Sequence, residues 1–236
     1  MGETSCPRPR ERRVTDPIAD FLRRSWELPD KVEGAWAQRR RLAGILRRAI
    51  HACVGTLADE ATLAAATDRI EEALRPLEEA PQQTFREAFS DGSYFQNPSA
   101  YADRNAVIGR TNPLAPPMVL TEEDEKNIGL VTLNDSYSGV PGWVHGGVLA
   151  ALFDQILGNV PITLGIPTVT SSLEVRYLRP TPLQVELRFE AWLEERKGRS
   201  NLVVGRCLVG GETTAEATGD FVHLEPTQFR KMISEM

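Results

Sequence analysis

The sequence predicts an α+β fold in which an antiparallel sheet wraps one central helix, with a helical hairpin in front of it. Three observations predict it. Residues 142–160, GWVHGGVLAALFDQILGNV, read as a turn followed by one strongly apolar helix. Downstream, residues 168–177, 183–194, 200–209 and 213–224 are rich in Val, Leu, Thr and aromatics, with turns marked by Gly198 and Gly210-Gly211. Upstream, apolar residues recur at the i, i+3, i+4, i+7 spacing of helices. One helix followed by hairpin-linked strands is the pattern of a sheet closing over a helix, not of alternating βαβ units.

Taken in order, residues 1–14 are rich in Pro, Arg and Glu and are expected to be disordered. A helical region follows over 15–80. Its first helix is short, with Thr15 or Asp16 as cap, Pro17 in the first turn and Pro29 as its end. A longer helix starts near Asp30 and carries Leu42, Ile45, Leu46, Ala49, Ile50, Cys53, Val54 and Leu57. The third, over about 59–77, aligns Leu63, Ile70, Leu74 and Leu77. A short link between two such helices predicts an antiparallel hairpin. Charge agrees: residues 8–48 hold 12 Lys/Arg against 6 Asp/Glu, and residues 59–91 hold 3 against 9. Residues 81–117 carry no sustained period and read as a linker and loop. Residues 118–225 form the sheet domain, opening with strands at 118–121 and 128–133 on either side of the polar turn EEDEKN, and 226–236 is a polar tail.

Composition narrows the function classes. With 236 residues and 41% hydrophobic content the chain can bury a real core. Its net charge of −6 argues against a general nucleic-acid binder. No apolar run approaches the roughly 20 residues of a membrane span, and the opening MGETSCPRPRERR has no apolar signal region, so no membrane and a cytoplasmic location are expected. Cys6 stands where a myristoylation motif would need Ser or Thr. Three cysteines without a CxxC pair and three scattered histidines indicate neither a disulfide framework nor a metal site. Cys207, in an apolar strand without a basic neighbour in sequence, reads as core.

The central helix carries the chemistry. At 100° per residue, Leu149, Leu152, Phe153, Ile156 and Val160 form one apolar stripe, while Gly147, Ala151, Asp154 and Gly158 line the opposite side. Small residues admit a close approach, and a carboxylate among them can act as base or nucleophile. The glycines at the helix start offer outward N–H groups at the positive end of the dipole, suited to an oxyanion. Each feature has a plain reading: a tight turn capped by His145, and a solvated carboxylate at Asp154. Their combination on an otherwise uncharged helix favours a site. Gly146 and Asp154 are eight residues apart, or about 12 Å along the axis, too far for one reacting carbon to touch both. If both act on one substrate, they come from two copies with their helices antiparallel across a two-fold axis.

His145-Gly146-Gly147 with an Asp nine residues after the His resembles the signature of hotdog-fold acyl-CoA thioesterases of the PaaI-like (4HBT) superfamily. Asn112-Pro113-Leu114-Ala115-Pro116-Pro117, the stretch SLEVRYLRPTPL over 172–183 and Ala215-Glu216-Ala217-Thr218-Gly219 extend the resemblance to about residues 95–224. It implies a hotdog fold and hydrolysis of acyl-CoA, with sites at the subunit interface of a homodimer or tetramer, and without a metal or redox cofactor. On this pattern the Gly146 N–H, with Gly147 beside it, holds the oxyanion, and His145 either orients the corner or donates a hydrogen bond. Asp154 of the partner attacks the thioester or activates a water. Thr170 falls where the family often carries a positioning hydroxyl, with Ser172 as a second candidate. Gly139, with Ser138 beside it, stands where many relatives place Asn or Gln. Trp143 either lines the acyl pocket or packs structurally. The arginines Arg39, Arg40, Arg41, Arg47 and Arg48 either balance the acidic third helix or meet coenzyme A phosphates. Two other readings stay open: a hotdog hydratase or dehydratase acting on acyl thioesters, and a non-catalytic acyl-CoA-binding module whose N-terminal hairpin serves a partner protein.

Overall fold

The computed structural model describes residues 17–225 with 227 and 228. The expected disorder of 1–14, the caps Thr15 and Asp16, Cys6 and nearly all of the tail lie outside the described residues. Among the described residues the named elements follow in the order α1 (Pro17–Ser25), α2 (Gly34–Gly55), α3 (Glu60–Glu79), α4 (Phe85–Ser90), α5 (Ser93–Gln96), α6 (Pro98–Ala102), β1 (Val119–Glu123), β2 (Lys126–Thr132), α7 (Gly146–Thr163), β3 (Thr168–Tyr177), β4 (Glu186–Lys197), β5 (Ser200–Val209) and β6 (Glu212–His223), with a 3-10 turn at Asp135–Tyr137.

The strands form one antiparallel sheet in the order β1-β2-β4-β5-β6-β3, so β3 is an edge although it comes third in sequence. Alternating residues of β4 to β6 supply one apolar face, and α7 lies across it. Leu152, Phe153, Ile156 and Leu157 of the helix are fully buried with Leu187, Phe189 and Val203 of the sheet. Phe153 and Phe189 meet edge to face at 5.1 Å between centroids. The helix comes close because the sheet is cut back beneath it: a Cβ on Gly205 would lie 2.9 Å from the Leu157 side chain, and one on Gly219 would lie 3.3 Å from it. All five residues of the expected stripe are buried, as are Leu157, Asn159 and Pro161 beyond it. The burial is therefore wider than a single stripe, because α1 packs on α7 as well as the sheet.

On the outer face of the sheet, the carboxylate of Glu190 takes hydrogen bonds from Arg188 and Arg206. Burial pushes its pKa up, but these two guanidiniums outweigh that and hold it below the usual carboxylate range. On the inner face, burial pushes the Cys207 thiol up to about 11.

Some boundaries depart from expectation for local reasons. Strands β1 and β2 run into the polar EEDEKN stretch, leaving a two-residue turn at Asp124 and Glu125, both with positive φ (49° and 63°), the conformation that matches the twist of a hairpin. β4 starts at Glu186 because Gln184 takes φ 60°. The aperiodic stretch before β1 contains α4 to α6, each too short to show a period. Thr84 and Glu87 form a reciprocal capping box that starts α4. These turns carry Ala88 and Tyr94 to Phe21 and Leu22 of α1, making a second small aromatic core.

The N-terminal helices form, but α2 and α3 do not close into the expected hairpin. They do not pack along each other, and α3 buries no residue. The link explains this: Thr56 and Asp59, which flank it, are both extended (ψ 142° and 168°), so the chain leaves α2 without turning back. Helix α2 is held to the body by polar bonds. Trp36 Nε1 and Arg40 Nε both donate to Asp103, at 2.5 and 2.9 Å. Arg47 donates to the carbonyls of Gly109, Arg110, Asn112 and Ala115 at 2.8–3.0 Å. Of the arginines offered for phosphates, Arg40 and Arg47 are thus occupied in clamping the loop before β1.

Candidate active site

The corner before α7 is built by backbone bonds from three sides. Val144 N–H donates to Thr181 O at 2.8 Å, His145 N–H to Tyr137 O at 2.9 Å, and Gly139 N–H to Trp143 O at 3.0 Å. Gly139 has to be glycine here, since a Cβ would fall 2.9 Å from His145 Cα. The missing Asn or Gln is thereby explained: the chain of this protein passes too close to the histidine for any side chain. Ser138 contributes a weak hydrogen bond to Val140 O (3.4 Å) and a bridge to Val144, holding the loop.

His145 is the N-cap of α7. Its Nδ1 accepts from Gly147 N–H at 2.9 Å, so the ring proton sits on Nε2. Of the two helix-start amides expected to be open, that of Gly147 is therefore occupied. The Gly146 N–H has no partner among the described residues and remains available at the helix N-terminus. The tertiary structure adds a residue with no local signal: Tyr177, at the end of β3, donates its hydroxyl to Gly146 O at 2.8 Å and lays its ring against Gly146. These two residues are 31 apart in sequence, and no spacing rule connects them.

A cleft of about 800 Å³ opens at this corner, lined by Val140, Trp143, His145, Gly146, Leu149 and Tyr177 among others. Its size suits a small-molecule group. Trp143, 40% exposed, is on its wall and not in the core. Gly139 also borders it, and Ser138 does not.

Asp154 is elsewhere. It does not line the cleft, as the eight-residue separation requires. It lies on the exposed side of α7 with Gly147 and Ala151, while Gly158 of the same row packs under Phe221. Thr170 Oγ1 donates to Asp154 Oδ1 at 2.9 Å. A β-bulge makes this contact possible. Leu173 and Val175 face the core, so plain alternation would turn Thr170 away from the helix. The register of β3 against β6 shifts between Thr170 and Ser172, placing Thr170 opposite the buried Phe221. Ser172 pairs instead with Asp220, on the face away from α7, where Asp220 accepts from Ser200. Ser172 is therefore not brought to the carboxylate. Among the described residues no group of three or more His, Cys, Asp or Glu converges as metal ligands, and no helix is long and apolar enough to cross a membrane.

Comparison with known proteins fits this geometry. Residues 141–216 match the model of the Thioesterase superfamily, 4HBT. The chain is 30% identical over 111 residues to acyl-coenzyme A thioesterase THEM4 of Mus musculus, covering 46% of this chain and 48% of that protein. To the Bos taurus protein of the same name it is 30% identical over 112 residues, 46% of each. The matched region thus spans about half the length of these curated relatives. A crystal structure of a thioesterase superfamily protein superposes with a TM-score of 0.67 at 29% identity, covering 83% of this chain and 93% of the other. A match of that extent takes in part of the helical region as well as the sheet domain.

Proposed function

We propose that the protein hydrolyses an acyl-CoA thioester at a site shared between two copies of the chain, a reading supported by the match of residues 141–216 to the thioesterase superfamily. The single observation that carries the reading is the separation of two prepared groups on one helix. Gly146, whose amide has no partner among the described residues, lines the cleft, and a Thr170-oriented Asp154 carboxylate sits exposed outside it. In a two-fold dimer with antiparallel α7 helices, the Asp154 of one copy reaches the cleft of the other. The edge strand β3 supports this pairing, since its free side offers unpaired backbone groups along mostly exposed residues.

Within such a site the thioester carbonyl oxygen accepts from Gly146 N–H, and the helix dipole favours the negative charge that develops there. Tyr177 keeps the Gly146 peptide in place. Thr170 occupies one carboxylate oxygen of Asp154, leaving the other to act. Either that oxygen attacks the carbonyl carbon, expelling the thiolate and leaving a mixed anhydride for water to open, or it takes a proton from the water that attacks. Both routes give free acid and coenzyme A thiol. The cleft takes the acyl-bearing end against Trp143, Val140 and Leu149. The reaction is expected to run in the cytoplasm and to need no metal or redox cofactor.

The test is thiol release from a panel of acyl-CoA esters by wild type and Asp154→Asn. Release by wild type and a kcat loss of about 10² or more in the variant are expected. Hydration of enoyl-CoA without thiol release would make the protein a hydratase, and binding without turnover would make it a carrier module.

A further inference from the structure

Helix α2 presents its residues in an unusual sense. The side that touches the body is the row Trp36, Arg40, Ala43 and Arg47, of which only Ala43 is fully buried. Away from that row Leu42 and Ile45 are 37% and 43% exposed; further along it, beyond the clamp, Ile50 and Val54 are 39% and 59% exposed, and Leu57 in the link is fully exposed. Helix α3 adds Leu63, Ile70 and Leu77, each more than 40% exposed. Large exposed apolar residues crowded into one segment mark a surface that another element covers. On α3 they recur every seven residues, and Ala66 and Ala73 stand three after the first two, which is the seam by which one helix packs along another.

Charge identifies what covers this seam. Helix α2 holds five arginines and no acid, whereas α3 holds six acids and two arginines. Arg41 and Arg48 of the first, and Asp68, Glu71, Glu72 and Glu78 of the second, enter no ion pair among the described residues. The complement of α2 is therefore α3, but the extended link keeps the chain's own α3 away from it. We propose that the arms are exchanged in a dimer, with α3 of each copy lying along α2 of the other. This is a two-fold contact in which basic meets acidic twice, and an extended hinge between matched elements is the geometry of domain swapping. The exchange does not depend on the chemistry at the cleft.

Cys53 lies on the outward side of α2 and is exposed in the single chain, so its alkylation by iodoacetamide, read by peptide mass spectrometry, reports whether the seam is covered. In the full-length wild-type chain it is expected to react at least about tenfold more slowly than in urea, as covered thiols do. Two exposed-charge variants follow, Arg39→Glu/Arg41→Glu/Arg48→Glu and Glu71→Arg/Glu72→Arg/Glu78→Arg, with circular dichroism confirming that each folds. Each alone sets like charge against like, and its Cys53 should react faster than in wild type. Refolded together at equal amounts, they should regain protection, because a hybrid dimer matches acidic α2 with basic α3 and basic α2 with acidic α3. A hairpin closed within one chain cannot be rescued by mixing, so a mixture that stays reactive overturns the exchange. Wild-type Cys53 reacting at the unfolded rate overturns it as well, leaving the face to some other partner. Protection that persists in either variant alone does the same, since charge is what selects the second copy.

Discussion

Combining two inactive variants tests the shared site directly, and the structure says how to make them. Gly146→Pro removes the amide hydrogen to which the proposed site assigns the oxyanion. Proline is acceptable there because Gly146 is the first residue of α7, where no intrahelical bond is lost. The preceding His145 already has φ −63° and ψ 132°, the conformation that a following proline demands. The cost is a contact with the Tyr177 ring, which a Cβ would meet at 3.3 Å and which can yield slightly. The second variant, Asp154→Ala, removes an exposed side chain and one hydrogen bond to Thr170, so it should fold normally. As homodimers, each should lose about 10² or more in kcat, the scale of a lost oxyanion donor or base. With about 12 Å along the axis between the two groups, a hybrid dimer has one site carrying both defects and one carrying neither. Equal random mixing makes half the dimers hybrids with one good site of two, so the mixture should recover about a quarter of wild-type activity. The assay is thiol release after co-refolding, with hybrid formation confirmed by mass-tagged subunits. Hybrids that form and stay inactive would refute the shared site, because every site would then have drawn both groups from one chain.

Thr170→Val should lower kcat about tenfold or more with little change in KM if the hydroxyl only orients the carboxylate, while Ser172→Ala should leave kcat near wild type; equal effects would contradict the assignment based on the bulge. Gly139→Ala forces a Cβ against His145 Cα and should lower both Tm and kcat, and unchanged values would show that the corner can shift at no cost. The raised pKa of Cys207 predicts an alkaline limb: the unfolded thiol ionises near its ordinary 9.0 and the folded one near about 11, so the stabilisation is whole below pH 9 and is lost between the two. The loss is on the order of 2 kcal/mol. Urea unfolding at pH 8 and 11 should show a smaller alkaline loss in Cys207→Ala than in wild type, and equal losses would assign the limb to other groups.

The sequence by itself determined what depends on local pattern. The apolar stripe of α7 predicts its buried side, the runs at 168–177 and 200–209 agree with β3 and β5 to the residue, and the 12 Å separation of Gly146 from Asp154 follows from helix rise alone. The ordered motif around His145 pointed to the superfamily that residues 141–216 match. Tertiary structure decided what depends on register and on groups distant in sequence. Alternation cannot reveal that one extra residue in β3 turns Thr170 toward Asp154 and leaves Ser172 on the other face, because a bulge is set by pairing with β6. Periodicity cannot tell that Gly147's amide is taken by the His145 ring, nor that Tyr177 closes on Gly146 from 31 residues away. It finds the apolar seams of α2 and α3 but is silent on which chain covers them, since a helix face specifies the need for a partner and the link between helices decides where the partner comes from.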